Sequence, residues 1–158
     1  LAVLLLLALG IDDRHVGAIA DGRQMIRTAV ALAYTGQIGQ APGWDFTLLR
    51  PDGEAVSRFG MGMSLAQLPA SWVAGWVEAR WGAGSSQGLF LLAPWLCVGL
   101  AGYIAGRLAH ELGASGKESA GAVVLATLAS PLGAYAALEF SEPLQAALLA
   151  ATLFFSLR

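Results

Sequence analysis

Leu89-Phe-Leu-Leu-Ala-Pro-Trp-Leu-Cys-Val-Gly-Leu-Ala-Gly-Tyr-Ile-Ala-Gly106 runs for eighteen residues without a charged side chain. That is close to the ~20 residues an α-helix needs to cross ~30 Å of hydrocarbon. Working outward, Ser119–Leu138, Pro143–Leu157 and Leu1–Ile11 also lack charge, whereas charged residues crowd into positions 12–80. The chain of 158 residues is 56% hydrophobic and 13% charged, against roughly 25% charged in a soluble domain. Charge confined to blocks points to membrane spans rather than to one greasy core. The expected fold is an all-α polytopic membrane protein. Its expected parts are a truncated first span over residues 1–11, an outer loop over 12–88, spans over 89–109 and 119–138, and a truncated fourth span over 143–158. The chain starts on Leu1 and stops on Arg158 inside apolar runs, which reads as the N-terminal part of a longer protein.

Gly99, Gly102 and Gly106 are spaced to admit a second helix closely, as small residues do in membrane bundles. Pro94 and Pro131 would kink or end helices in water and are expected to be tolerated inside a bundle. The short loop Arg107–Glu118 carries Arg107 and Lys117, and Glu139–Pro143 carries two glutamates and no base. The positive-inside rule therefore puts the first loop on the cytoplasmic side and the second outside. Counting back one span, residues 12–88 lie outside.

That outer segment is organised. Asp21-Gly-Arg-Gln24 reads as a helix start with Asp21 as N-cap and Gln24 closing a capping box. Met25/Ile26, Ala29/Val30 and Ala33 follow at helical spacing, with Gly36 as the stop. A second amphipathic helix is expected from about Ser64 to Ala79, with Leu65, Leu68, Trp72, Val73, Trp76 and Val77 on one face. Trp72, Trp76 and Trp81 suit the headgroup layer, where an indole buries its rings and still donates a hydrogen bond. Between the helices, Pro51-Asp52-Gly53 is turn chemistry between extended segments and predicts a short hairpin.

A net charge of −2 gives no basic patch, which excludes nucleic acid as a partner. The lone Cys97 sits in an apolar run and reads as packing. His15 and His110 are isolated, so a zinc site of the usual kind is not expected. The surface-proximal acids are Asp12, Asp13 and Asp21 after the first span, with Glu139 and Glu142 after the third. A carboxylate there can take a proton from an attacking hydroxyl or hold a divalent cation, or simply be solvated. Arg23 and Arg27 stand four apart on one helix face, and Arg58 precedes the glycine-rich Gly60-Met-Gly62. Guanidinium groups match phosphate oxygens bidentately, whether of a lipid-linked phosphate or of anionic headgroups.

Three stretches in order carry a resemblance: Asp21-Gly-Arg-Gln-Met-Ile-Arg-Thr-Ala-Val-Ala-Leu32 with Tyr34-Thr-Gly-Gln-Ile-Gly39, then Ser57-Arg-Phe-Gly-Met-Gly-Met-Ser-Leu-Ala-Gln-Leu-Pro69, then Phe140-Ser-Glu-Pro-Leu144. The chain resembles the N-terminal part of C-type (GT-C fold) membrane glycosyltransferases, in the group of protein mannosyltransferases and bacterial lipopolysaccharide glycosyltransferases. The resemblance implies transfer of a sugar from a polyprenyl-phosphate donor to a glycan, lipid or protein acceptor at the outer face of a bacterial inner membrane. It places the family's first-loop acid at Asp21, as base or acceptor-positioning group, and the second acidic position at Glu142. Arg23, Arg27 and Arg58 would then hold the donor phosphate. Gly22 stands where many relatives carry a second acid, so a divalent cation is the one cofactor left open. The rival reading is a polytopic transporter or lipid flippase without transferase activity. Against it, Leu89–Gly106 and Ser119–Leu138 hold no ionisable group of the kind transporters place near the bilayer midplane. A non-catalytic scaffold with an outer docking domain is the third reading.

Overall fold

The computed structural model describes residues 20–40, 47–51, 53, 55–57, 61–83, 85–137 and 141–157. The chain is mostly helical with few strands and divides into two compact units, one of residues Asp12–Ala93 and one that takes in Pro94–Arg158.

In the first unit, helix α1 spans Ala20–Thr35. Met25 and Ala29 are buried with Gln24 and Thr28, so the apolar spacing read from the sequence is the packed face. The helix stops at Gly36, whose φ of 68° lies in the left-handed region that favours glycine, and Gly36 N donates to Leu32 O at 3.1 Å. Asp21 is not the cap: the described helix already includes Ala20, so Asp21 is a helical residue.

Strands β1 (Gly39–Gln40), β2 (Thr47–Leu49) and β3 (Ala55–Ser57) form an antiparallel sheet in the order β1-β3-β2. The expected hairpin is β2–β3, with Thr47 opposite Ser57 and Leu49 opposite Ala55. Gly53 closes its turn at φ 87°, its N–H donating to Arg50 O at 2.9 Å. The third strand was not expected; Gly39 and Gln40 pair with Val56 and Ala55 on the hairpin's other edge.

The expected helix from Ser64 to Ala79 is two pieces, α2 (Met61–Ala66) and α3 (Leu68–Trp81), joined at Gln67. Pro69 explains the break: it has no N–H to offer the carbonyl four residues back and sits in the first turn of α3, where none is needed. The fully buried Gln67 spans the joint by donating from Nε2 to Phe90 O at 3.4 Å.

A 3-10 turn over Gln87–Leu91 leads into α4 (Leu92–Glu111). Together Gln87–Glu111 forms 25 helical residues, long and apolar enough to cross a membrane. Pro94 is accommodated without a break, because the first turn of an α-helix leaves its N–H groups unpaired.

In the second unit, α5 spans Gly116–Thr127, α6 Leu132–Ala137 and α7 Glu142–Ser156. The expected span over residues 119–138 is therefore not one helix. Its longer piece of 12 residues reaches only ~18 Å. Pro131 cannot continue the ladder, and ahead of it two hydroxyls bond back to carbonyls four residues earlier: Thr127 Oγ1 donates to Val123 O at 2.8 Å and Ser130 Oγ to Ala126 O at 2.6 Å. Ser130 Oγ also accepts from Leu132 N at 3.3 Å, which starts the next helix.

The segment read as a loop over Arg107–Glu118 is mostly helical. Gly113 turns the chain at φ 95°, and Ser115 caps α5 in a full capping box. Its Oγ accepts from Glu118 N at 3.4 Å, while Glu118 Oε2 accepts from Ser115 N at 2.8 Å. Ser115→Ala is expected to lower stability by about 1 kcal/mol, measured as the shift of thermal unfolding in detergent. The Ser115 backbone N–H, and then its hydroxyl, holds the Glu118 carboxyl below its ordinary value. A carboxyl depressed in the folded state stabilises above its unfolded pKa and loses that effect as pH falls through the folded one. Alanine keeps the backbone N–H, the larger cause, so this stabilisation should fall away in acid in wild type and Ser115→Ala alike.

Candidate functional site

The first unit contains a cavity of ≈ 670 Å³ between α1 and α3, closed at one end by the segment Ser86–Phe90. It lies within the range of small-molecule sites, about 300–1,000 Å³.

On the α1 side stand Arg23, Arg27 and Tyr34. Residues 23, 27, 30 and 34 recur every three or four positions and so share one face of the helix. Arg23 is exposed and Arg27 half-buried. The Arg27 guanidinium has its pKa pushed below the ordinary arginine value, first by burial and then by the like charge of Arg23. Two cations within each other's field favour an anion between them.

On the α3 side stand Ser71, Ala74, Gly75 and Glu78, again at three- and four-residue spacing. Tyr34 OH donates to Ser71 O at 3.0 Å, which ties the two helices together at the cavity wall. Gly75 makes this approach possible, since a Cβ there would run into the Tyr34 hydroxyl. Glu78 is set from the other end. Gly82, at φ 97°, terminates α3 with its N–H on Glu78 O at 2.9 Å, and the chain turns back. The returning Ser86, buried, donates from Oγ to Glu78 Oε1 at 2.6 Å.

Elsewhere on α3 large apolar side chains are open. Trp72, Trp76 and Trp81 are 60%, 64% and 63% exposed, although large aromatic side chains ordinarily bury most of their surface. The face expected to be amphipathic is thus turned outward, and the small polar residues face the protein.

Of the expected site residues, Arg23 and Arg27 line this cavity. Asp21 lies two residues before Arg23 on α1 and does not line the cavity, and Arg58 lies outside the described residues, as do Asp12, Asp13, His15 and Glu139. Glu142 belongs to the other unit, as first residue of α7. Its Oε2 is buried without a hydrogen-bond partner among the described residues. Among the described residues no group of three His, Cys, Asp or Glu stands close enough to hold a metal ion, so no step is derived through the divalent cation that the resemblance leaves open.

Glu78, Ser86 and Tyr34 were not singled out in the sequence. A signal was present: Ser71, Gly75 and Glu78 make a small and polar stripe along a helix whose other face carries the tryptophans. No protein-family model, curated protein or solved structure matches the chain.

Proposed function

We propose that this chain carries the donor-binding part of a multi-pass membrane glycosyltransferase of the GT-C type, acting on a polyprenyl-phosphate-linked sugar at the extracytoplasmic face. The observation that carries this reading is the cavity with Arg23 and Arg27 side by side on one wall. Guanidinium pairs fit phosphate oxygens in a bidentate manner.

A lipid-linked donor keeps its phosphate at the membrane surface, and several features support that placement for the cavity. The membrane-length helix Gln87–Glu111 begins at the cavity's own lining residue Gln87. Leu92, Leu96, Leu100 and Tyr103 of α4 and Leu148, Leu149, Leu153 and Phe155 of α7 are large, apolar and exposed, as lipid-facing side chains are. The outward tryptophans of α3 fit the headgroup layer.

In this reaction the acceptor hydroxyl oxygen forms a bond to the sugar's anomeric carbon, and the bond from that carbon to the carrier phosphate breaks. The resemblance gives the acceptor's proton to Asp21 or Glu142 and assigns Arg23, Arg27 and Arg58 to the charge left on the departing phosphate. The leaving group is already a stable phosphate, so most of the acceleration comes from positioning. The transporter or flippase reading draws less support. The Asp, Glu, Lys, Arg and His side chains of Gln87–Glu111 are Arg107, His110 and Glu111, all in its last turns rather than near mid-length.

The test uses the full-length protein in proteoliposomes with a radiolabelled polyprenyl-phosphate sugar. Label passing to an acceptor supports transferase activity, and lipid movement without transfer supports the flippase. Asp21→Asn is expected to abolish transfer while insertion and folding stay normal; near-normal transfer by that variant removes Asp21 from the reaction.

A further inference from the structure

Pro69, Trp72, Val73, Trp76 and Arg80 recur every three or four residues along α3 and are all exposed, while Ser71 and Ala74 are buried. Trp81 joins this face by packing edge-on against Trp76, with ring centroids 5.3 Å apart and an interplanar angle of 84°. The one acid of α3, Glu78, lines the cavity with Ser71 and Ala74 instead. The exposed face therefore combines indole rings with a guanidinium and carries no carboxylate. Among the described residues, no hydrogen bond holds the indole N–H of Trp72, Trp76 or Trp81, and no acid pairs with Arg80.

The same helix is tied to the start of the membrane-length helix Gln87–Glu111 at two points. Gln67, just before α3, donates to Phe90 O at 3.4 Å, and Ser86 donates to Glu78 Oε1 at 2.6 Å. We infer that this face of α3 docks on anionic lipid at headgroup level, with Arg80 on the lipid phosphates and the indoles among the ester carbonyls. Phosphates match a guanidinium in charge-assisted, bidentate bonds, and indoles place apolar rings in the layer while donating their N–H. A second copy meeting this face through itself would bring two Arg80 guanidinium groups together with no acid between them. The inference rests on reading Gln87–Glu111 as a span, and not on sugar transfer at the cavity.

The test uses the full-length protein on a cysteine-free background (Cys97→Ala), spin-labelled at Trp72→Cys, Trp76→Cys or, on α1's far side of the unit, Gln37→Cys. In phosphatidylglycerol vesicles, labels at 72 and 76 should collide with oxygen, which concentrates in lipid, and be shielded from a water-soluble nickel reagent. The label at 37 should show the reverse. Adding Arg80→Gln should raise the nickel-accessible fraction at 76 about fivefold in phosphatidylglycerol and leave it unchanged in phosphatidylcholine. That ratio corresponds to ~1 kcal/mol for one basic residue at an anionic surface. Nickel reaching 72 and 76 as readily as 37 overturns the docking. Shielding from both reagents means that protein covers the face, which overturns it as well. An equal effect of Arg80→Gln in both lipids overturns the anionic partner. Protein that does not float with the vesicles overturns the span, and this inference with it.

Discussion

Replacing Arg23 and Arg27 together with alanine is expected to lower kcat/KM for the lipid-linked donor by about 10²- to 10⁴-fold. A hydrogen bond to a charged group is worth about 1.5–3 kcal/mol, and each 1.4 kcal/mol is about tenfold in rate. Arg23 is exposed and Arg27 half-buried, so neither side chain is part of the buried core of Met25, Ala29, Ala55 and Met63. Loss of activity should therefore come without loss of fold, read as an unchanged thermal transition. How the loss divides tells what the arginines do. If they only hold the phosphate, KM rises and kcat stays; if they stabilise the charge that develops as the carrier leaves, kcat falls. The lysine pair separates charge from geometry, because an ammonium keeps the charge but not the bidentate fork. Activity of the double alanine variant within a few-fold of wild type would remove the cavity from the donor site.

The arginine pair could be read from spacing alone, because side chains four apart on a helix share a face whatever the helix packs against. Spacing also puts Glu78 on one face with Ser71 and Gly75, but it does not say that this face meets α1. The sequence of α3 displays its tryptophans, which suit the headgroup layer, and leaves open which residues of the helix meet α1. In the fold Ser71, Ala74 and Gly75 go inward because small side chains let α1 approach to the Tyr34–Ser71 hydrogen bond, and Glu78 follows them onto the same face. Which face is inside is decided by the partner helix, and that is tertiary information.

The same limit governed the long apolar stretches. Residues 89–106 and 119–138 look alike in hydropathy, yet the first is one helix and the second is two. The difference lies in where proline falls. Pro94 sits in the first turn of α4, where no N–H is missed, whereas Pro131 follows Ser130 at the end of the α5 ladder. By contrast, the stop at Gly36 and the turn at Gly53 were legible, since both need a positive φ that glycine adopts without strain. The two-residue strand Gly39–Gln40 carries no periodicity to read and is defined only by its pairing with β3.

Gly102 and Gly106 give the second large expected effect. A Cβ at Gly102 would run into Thr127 Cγ2, and one at Gly106 would run close to Val123 Cγ2 and stand 3.2 Å from Ser119 O. The two sites do not yield equally. Thr127 can swing its methyl away only by breaking its hydrogen bond to Val123 O. Ser119 O is backbone in the first turns of α5 and moves only if the whole helix moves. Leucine at either position overpacks the seam at about 1–3 kcal/mol, with Gly106→Leu the worse, and the double variant should push α4 and α5 apart. Gly121 supplies the control, since it lies on α5 with open space where its Cβ would be. Gly121→Ala is expected to stabilise by up to about 1 kcal/mol, because alanine costs less backbone entropy in a helix. Thermal unfolding in one detergent should thus move in opposite directions for glycines one helix apart. Equal, small shifts at Gly106 and Gly121 would mean that the α4–α5 seam is not held by close backbone approach.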